Sequence, residues 1–322
     1  MPPLRLLVAL PLAACAGCVG LRSPDGIVTQ PFRGITLISR TESSPRPVRM
    51  HVVLVDLATP GLSFKLSPPA GARDAVRQTT LAFLRQEKAQ LAVNAHFFVP
   101  FPSPDTDVDL VGLAVSAGRI VSPFEPQPVS AGFPDQSYAI LAHAPALNLD
   151  PGNRAALVRR DPAYPDGRHT LPRVTLWNAV SGSAQIVTDG APTIPTYTGA
   201  PGGLRPANNY SDARSWYALP RARTAVGLTA DGRRLVIFTA DQAAGSAGLT
   251  VAEVARFLVR DYRVAQALNL DGGGSTTLAM QDPVTGEPRL VNTPSDPPPG
   301  RAVGSSLAIF AAPMPARGAA KP

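Results

Sequence analysis

Hydrophobic and polar positions along the chain alternate in short blocks, and most blocks are too short for helices. Residues 35–39 and 48–57 are β-branched and apolar, and Val52-Val53-Leu54-Val55-Asp56-Leu57 is nearly continuous, as in a strand buried on both faces. Residues 62–66 alternate and continue the sheet. Residues 79–88 carry Leu81 and Leu84 on one side with Arg85-Gln86-Glu87-Lys88 following, which predicts a helix. A buried strand at 91–94 ends on Asn94. Residues 101–109 form a Pro/Asp loop by composition. Residues 113–121 predict a hairpin turning at Ala117-Gly118, and a strand lies within 138–149.

Residues 150–171 are turn-rich and predicted at the surface. The segments 173–180 and 184–188 flank Ser181-Gly182-Ser183, a second hairpin signal. Residues 192–220 are rich in Pro, Gly, Asn and Tyr without periodicity. A loop of that length in a compact domain is often functional, so a lid is expected there. The segments 224–229 and 235–240 flank Asp231-Gly232, a third hairpin. Thr250 followed by Glu253 forms a capping box ahead of Val254, Phe257 and Leu258, predicting a helix over 251–261. Strands follow at 265–270, 275–280 and 302–310, with a glycine turn at 271–274. The expected class is α+β: mixed, mostly antiparallel sheets with two main helices in a single domain.

Composition sharpens this picture. An apolar fraction of 44% with 16% charged residues supplies a substantial core, and 36 prolines with 27 glycines favour turns over long helices. The formal charge of +7 comes mostly from scattered arginines without a basic run or basic-aromatic alternation, so nucleic acid is not an expected partner. The two cysteines, Cys15 and Cys18, sit near the N-terminus, so residues 31–313 can hold neither a disulfide nor a thiolate metal site. Residues 4–14 form an apolar run behind Arg5, too short to anchor in a bilayer, and read as a signal peptide. Leu12-Ala13-Ala14-Cys15 has the form of a lipobox, making Cys15 the expected lipidation site and membrane anchor. Cleavage after Ala14-Cys15-Ala16 is the alternative. Residues 1–30 are then signal and tether, and 314–322 a disordered tail.

The sharpest chemical feature is Asn269-Leu270-Asp271-Gly272-Gly273-Gly274-Ser275-Thr276-Thr277. A strand delivers a carboxylate to its end, and three glycines allow close backbone approach to a ligand. Their N–H groups can form an anion-binding concavity. The alternative is a tight strand connection with a capping Asp. It is no P-loop, because no Gly-Lys-Ser/Thr follows, and no nucleophile elbow, because Thr277 stands where a glycine is required. Asp105, Asp107 and Asp109 alternate, but Leu110 replaces the glycine a calcium loop needs. His51, His96, His143 and His169 lack metal spacing, so no metal or cofactor is expected.

Four segments together resemble one family. Leu91-Ala92-Val93-Asn94-Ala95-His96-Phe97-Phe98 is similar to its Asn-Gly-Gly-Phe-Phe segment. Arg221-Ala222-Arg223-Thr224-Ala225-Val226-Gly227 is similar to its Arg-Thr-x-x-Gly strand. Gly248-Leu249-Thr250 with its helix and Asp271-Gly272-Gly273-Gly274-Ser275-Thr276 resemble its C-terminal signature. Lesser matches are Val180-Ser181-Gly182 leading to Asp189-Gly190, and Val291-Asn292-Thr293-Pro294 leading to Arg301-Ala302-Val303. In this order they resemble the phosphodiester glycosidase family. The resemblance implies a glycosidase hydrolysing a sugar-phosphate diester, with a carbohydrate or glycosyl-phosphate as partner, and together with the signal peptide an exported one acting on an envelope or environmental glycan. Ala95 and His96 depart from the family's glycines and narrow or re-equip the pocket.

Glycosidases generally use paired carboxylates. Asp271 is the expected first one. Asp189, Asp241 and Glu253 are candidates for the second, Glu253 being already explained by its capping box. Arg223 suits phosphate as a bidentate guanidinium, with a strand-end salt bridge as its alternative. Asn94, Thr224, Ser275, Thr276 and the glycines 272–274 would position hydroxyls or phosphate oxygens. His96 is either an acid, base or phosphate contact or a satisfied buried histidine. A non-catalytic glycan-binding or exopolysaccharide-assembly protein on the same fold is the rival reading, and a transferase differs only in its acceptor.

Overall fold

A computed structural model describes residues 26–126, 140–194 and 217–315. Cys15, the tail after 315 and most of the expected lid lie outside the described residues. The architecture is mostly antiparallel sheet with two helices, α1 (Thr80–Glu87) and α2 (Val251–Tyr262). The largest sheet has eight strands, in the spatial order Ile27–Phe32, Ile35–Glu42, Val48–Asp56, Arg234–Ala240, Arg223–Thr229, Val264–Asn269, Ala184–Thr188 and Ala191–Pro192.

Its central strands are covered on both faces, which is why they read as continuous apolar runs. Met50, Val52, Ala225, Val236, Phe238 and Ala267 face α2, with Val254, Ala255 and Leu258 packed on them. Val53, Val55, Val226, Leu228, Leu235, Ile237 and Leu268 face the other way. There they meet a five-stranded sheet through Leu91, Val93, Leu278, Met280, Leu307 and Ile309, and a six-stranded sheet through Ala114, Leu147, Leu149 and Val180. Helix α1 closes the far face of the five-stranded sheet with Leu81, Phe83 and Leu84.

Both helices begin as the sequence predicts. The Thr79 side chain accepts from the Ala82 amide at 3.2 Å to start α1. At α2 both halves of the capping box form, with the Glu253 amide bonding the Thr250 hydroxyl at 3.2 Å and the Thr250 amide the Glu253 carboxylate at 2.8 Å. The hairpin at Asp231-Gly232 forms, and Ala117 and Gly118 turn theirs with φ of 48° and 80°, the left-handed pair this turn demands.

Other expectations are corrected. Residues 101–109 are not all loop. Asp107–Leu110 is a strand whose Val108 and Leu110 are buried while Asp109 faces solvent, so real alternation was hidden by the low strand propensity of Asp. Residues 150–171 contain the strand Ala155–Arg160, which pairs with Ala146–Leu149. The tether expected to Gln30 already forms strand from Ile27. The glycine turn continues as a 3-10 turn, Gly273–Ser275, before the strand Leu278–Gln281 begins. Ser181-Gly182-Ser183 is no hairpin. Asn178–Ser181 lies in the six-stranded sheet and Ala184–Thr188 in the eight-stranded one. At Gly182 the chain crosses between them, so close to the neighbouring strand that a Cβ would sit 2.2 Å from the Asn269 carbonyl oxygen.

Candidate active site

The site forms at the end of Val264–Asn269, where the eight- and five-stranded sheets converge. Beyond the strand, Leu270 still bonds Thr224 at 2.9 Å. The Asp271 amide then turns to the Ala95 carbonyl at 3.2 Å, and Gly273 returns to the Ala222 carbonyl at 2.8 Å. These bonds fix Asp271 between two sheets. Its side chain is nearly buried, accepting from the Gly272 amide at 2.9 Å and from the Ser275 hydroxyl. Burial raises its carboxyl from the usual carboxylate range to about 7, against the opposing pull of Ser275, the Arg301 charge and the Gly272 amide. A carboxyl poised there holds or releases a proton near neutral pH.

Two of the three glycine amides expected to face an anion are bonded within the protein. The amide of Gly272 bonds Asp271, that of Gly273 bonds Ala222, and those of Ser275 and Thr276 bond Gly272 and Gly273. The amides of Gly272 and Gly273 therefore hold the turn.

Asn94 is fully buried beneath this turn. Its amide nitrogen donates to the Asp271 carbonyl at 2.6 Å, and its oxygen accepts from the Thr224 hydroxyl at 2.8 Å and the Thr277 amide at 3.0 Å. Thr224 also lies 3.3 Å from the Thr276 hydroxyl. Asn94, Thr224 and Thr276 therefore converge with Asp271, as scaffold under the turn. A buried amide with every group partnered fixes geometry, because breaking any bond leaves an unsatisfied polar atom.

The cation beside Asp271 is Arg301, which sequence reasoning placed only within a lesser family match. Its Nε donates to Asp296 Oδ2 at 2.9 Å and its Nη2 to Asp296 Oδ1 at 3.4 Å, while its Nη1 reaches the Ser275 hydroxyl at 3.4 Å. The guanidinium lies over the Phe101 ring at 4.7 Å. Its other side rests on Gly274, where a Cβ would sit 2.2 Å from Nη2. The same Cβ would sit 2.4 Å from Asp296 Oδ1, so the third glycine of the signature makes room for the arginine and its counter-ion together. No local pattern marks that role, because the two positions are far apart in sequence.

Arg223, the expected phosphate ligand, is buried and turned to backbone. Its Nε donates to the Leu249 carbonyl at 2.8 Å and its Nη2 to the Leu219 carbonyl at 2.5 Å. Burial lowers it from the usual arginine range to about 9. These two bonds tie the start of α2 to the sheet.

His96 is wholly buried rather than lining an open pocket. Nδ1 lies 2.9 Å from the Ser305 hydroxyl, and Nε2 accepts from the Ser181 amide at 3.0 Å. Burial depresses its pKa to about 4, so it is neutral at physiological pH and is placed to join sheets, not to exchange protons with substrate.

The candidate second carboxylates are each engaged by other partners. Asp189 sits at the opposite end of the Asp271 strand, where the Gly190 amide bonds Ala265 at 3.0 Å. Asp271 lies six positions beyond Ala265, about 20 Å along an extended chain. Asp189 accepts from Gln266 at 2.8 Å and lines an open cavity of about 690 Å³. It does not join Asp271, because its strand runs antiparallel and carries it to the far edge. Glu253 is used by the helix cap and by Arg46 at 2.7 Å, and together these hold its pKa down. Asp241 is buried at the same end of the sheet as Asp271. It accepts from the Thr293 amide at 3.1 Å and from Arg49 at 3.4 Å, so it anchors the segment that carries Asp296 and Arg301. Among the described residues no group of His, Cys, Asp and Glu is arranged to hold a metal ion.

Comparison with known proteins bears on this arrangement. Residues 87–310 match the phosphodiester glycosidase family model. A 67-residue stretch is 43% identical to N-acetylglucosamine-1-phosphodiester alpha-N-acetylglucosaminidase of Mus musculus, covering 21% of this chain and 13% of that protein. In structure, the chain is similar to the zebrafish N-acetylglucosamine-1-phosphodiester alpha-N-acetylglucosaminidase catalytic domain auto-inhibited by its pro-peptide. The TM-score is 0.56 at 20% identity, covering 90% of this chain and 84% of that one. A hypothetical protein from Synechocystis gives a TM-score of 0.56 at 15% identity, covering 90% and 64%. At these identities the structural likenesses establish the fold.

Proposed function

The chain belongs to the phosphodiester glycosidase family, and from that premise we propose that it hydrolyses the glycosidic bond of a sugar-phosphate diester, with Asp271 as the proton-transferring carboxyl. The observation that carries the reading is the Asp271 pKa of about 7 in a turn that also presents Arg301. In such a substrate the anomeric carbon–oxygen bond breaks and a phosphate monoester departs. Asp271 donates its proton to the departing oxygen, and Arg301 balances the charge that grows on phosphate. The resulting carboxylate then accepts a proton from the water that attacks the anomeric carbon, releasing free sugar. Ser275 orients the Asp271 carboxyl, and Asn94 with Thr224 keeps the turn from shifting as the charge changes hands.

The apolar run before Cys15 supports an exported protein held at the cell envelope by a lipid anchor, where glycan phosphodiesters would be the available substrates. The test is incubation of the purified protein with α-linked N-acetylglucosamine, glucose and mannose phosphodiesters while free sugar and phosphate monoester are measured. Release of both, abolished in Asp271→Asn, supports the reading. Binding of these compounds without turnover would move the protein to the glycan-binding alternative.

A further inference from the structure

Arg301 is bordered by groups of the fold on several sides. Phe101 covers one face at 4.7 Å, and the backbone at Gly274 lies against the guanidinium from another side. Its Nη1 reaches the buried Ser275 hydroxyl at 3.4 Å. The remaining edge, Nε with Nη2, is the one whose geometry suits two oxygens of a single anion, and Asp296 occupies it at 2.9 and 3.4 Å. Of these partners only Asp296 is a charged side chain with substantial exposure, 36% against 26% for Arg301. A pair this exposed is weak enough to exchange. Both residues sit on one stiff segment, Asp296-Pro297-Pro298-Pro299-Gly300-Arg301, where three prolines fix backbone φ and the Gly300 amide closes on the Pro297 carbonyl at 2.9 Å. The contacts with Phe101, Gly274 and Ser275 hold the arginine, while the more exposed Asp296 side chain has solvent to swing into.

We propose that Asp296 is a built-in stand-in for the substrate's phosphate, filling the Nε–Nη2 edge of Arg301 in the free protein and yielding it to a phosphodiester on binding. Two oxygens of a phosphate replace two of a carboxylate, so the number of charged hydrogen bonds is conserved. The arrangement also selects substrates. A neutral glycoside offers nothing to displace Asp296, so it meets a closed ion pair at the place where a phosphodiester is accepted. This rests on the reading of the site as one for sugar-phosphate diesters, and it adds that the site competes with its own carboxylate for the anion.

The experiment measures binding of inorganic phosphate and of phenyl phosphate by calorimetry to the full protein, beside Asp296→Asn and Arg301→Gln. Thermal melting confirms that each variant is folded. The expected result is binding roughly fivefold tighter in Asp296→Asn and lost in Arg301→Gln. Weaker binding in Asp296→Asn would overturn the proposal and make Asp296 an orienting support. Equal binding in all three proteins, or none in any, would overturn it as well, since the fork would then not receive the anion. Binding is read without turnover, so a protein that hydrolyses no phosphodiester can still pass this test, and an active one can fail it.

Discussion

The two ends of the strand Val264–Asn269 carry the same chemical group in opposite settings. At one end Asp271 is enclosed by two sheets and a glycine turn, and burial raises its carboxyl to about 7. At the other end Asp189 bonds Gln266 beside an open cavity of about 690 Å³. A cavity opens at the second end, yet the first holds the perturbed carboxyl, an adjacent guanidinium and a buried amide scaffold. A perturbed carboxyl where elements from distant parts of the chain converge is the stronger candidate for a functional position than a hollow lined by one.

The difference is open to direct attack. The largest effect is expected from neutralising each carboxyl in turn. Asp271→Asn should lower kcat for a hydrolysed phosphodiester by about a thousandfold, whereas Asp189→Asn should stay within about twofold. Equal losses would erase the distinction between the ends. Next, Arg301→Gln should lower kcat/KM by about a hundredfold, and Arg234→Gln, on another strand at the sheet end opposite Asp271, should leave it unchanged. If both arginines matter equally, general charge is responsible and not the fork. Third, His96→Gln should cost about 2 kcal/mol in denaturant unfolding, since a buried ring loses its bonds to Ser181 and Ser305, while turnover by the folded fraction persists. A variant that is stable but inactive would return His96 to the chemistry.

The smallest effect is a shift in melting temperature with pH. Asp271 titrates higher in the folded protein than unfolded, so the folded state binds the extra proton between about pH 4 and 7 and its stability falls as pH rises through that window. Asp271→Asn removes the penalty, and should melt about 2–4 °C above wild type at pH 8, with the gap closing toward pH 5. His96 works in the opposite sense. Its folded pKa of about 4 lies below the unfolded value, so stability falls as pH drops from about 6.5 toward 4. Melting curves of His96→Gln across that range would separate the two slopes.

Much of this was legible in the sequence where local rules decide. The capping box at Thr250, the Asp231-Gly232 turn and the run at 52–57 each imply one structure, and each forms. Asp271 stood out because a strand, a carboxylate and three glycines are contiguous. What stayed hidden depends on partners remote in sequence. Arg301 becomes part of the site only because Gly274 leaves space beneath it. Arg223 carries the right side chain for phosphate, but α2 packs so that it faces the carbonyls of Leu219 and Leu249. Ser181-Gly182-Ser183 has hairpin composition, yet it serves a crossing between sheets. Composition announces that the chain bends there without saying which strand it will meet.

The three bonds of the Asn94 side chain reach Thr224, Asp271 and Thr277, which are 130, 177 and 183 positions away along the chain. Closing loops of that length comes late in folding, after local hairpins and helices exist. The Asp271 turn therefore acquires its final shape only when the N-terminal and C-terminal halves have met. On refolding from denaturant, secondary structure should return before the Asn94 knot is tied, and the appearance of a competent site becomes a clock for the last step of assembly.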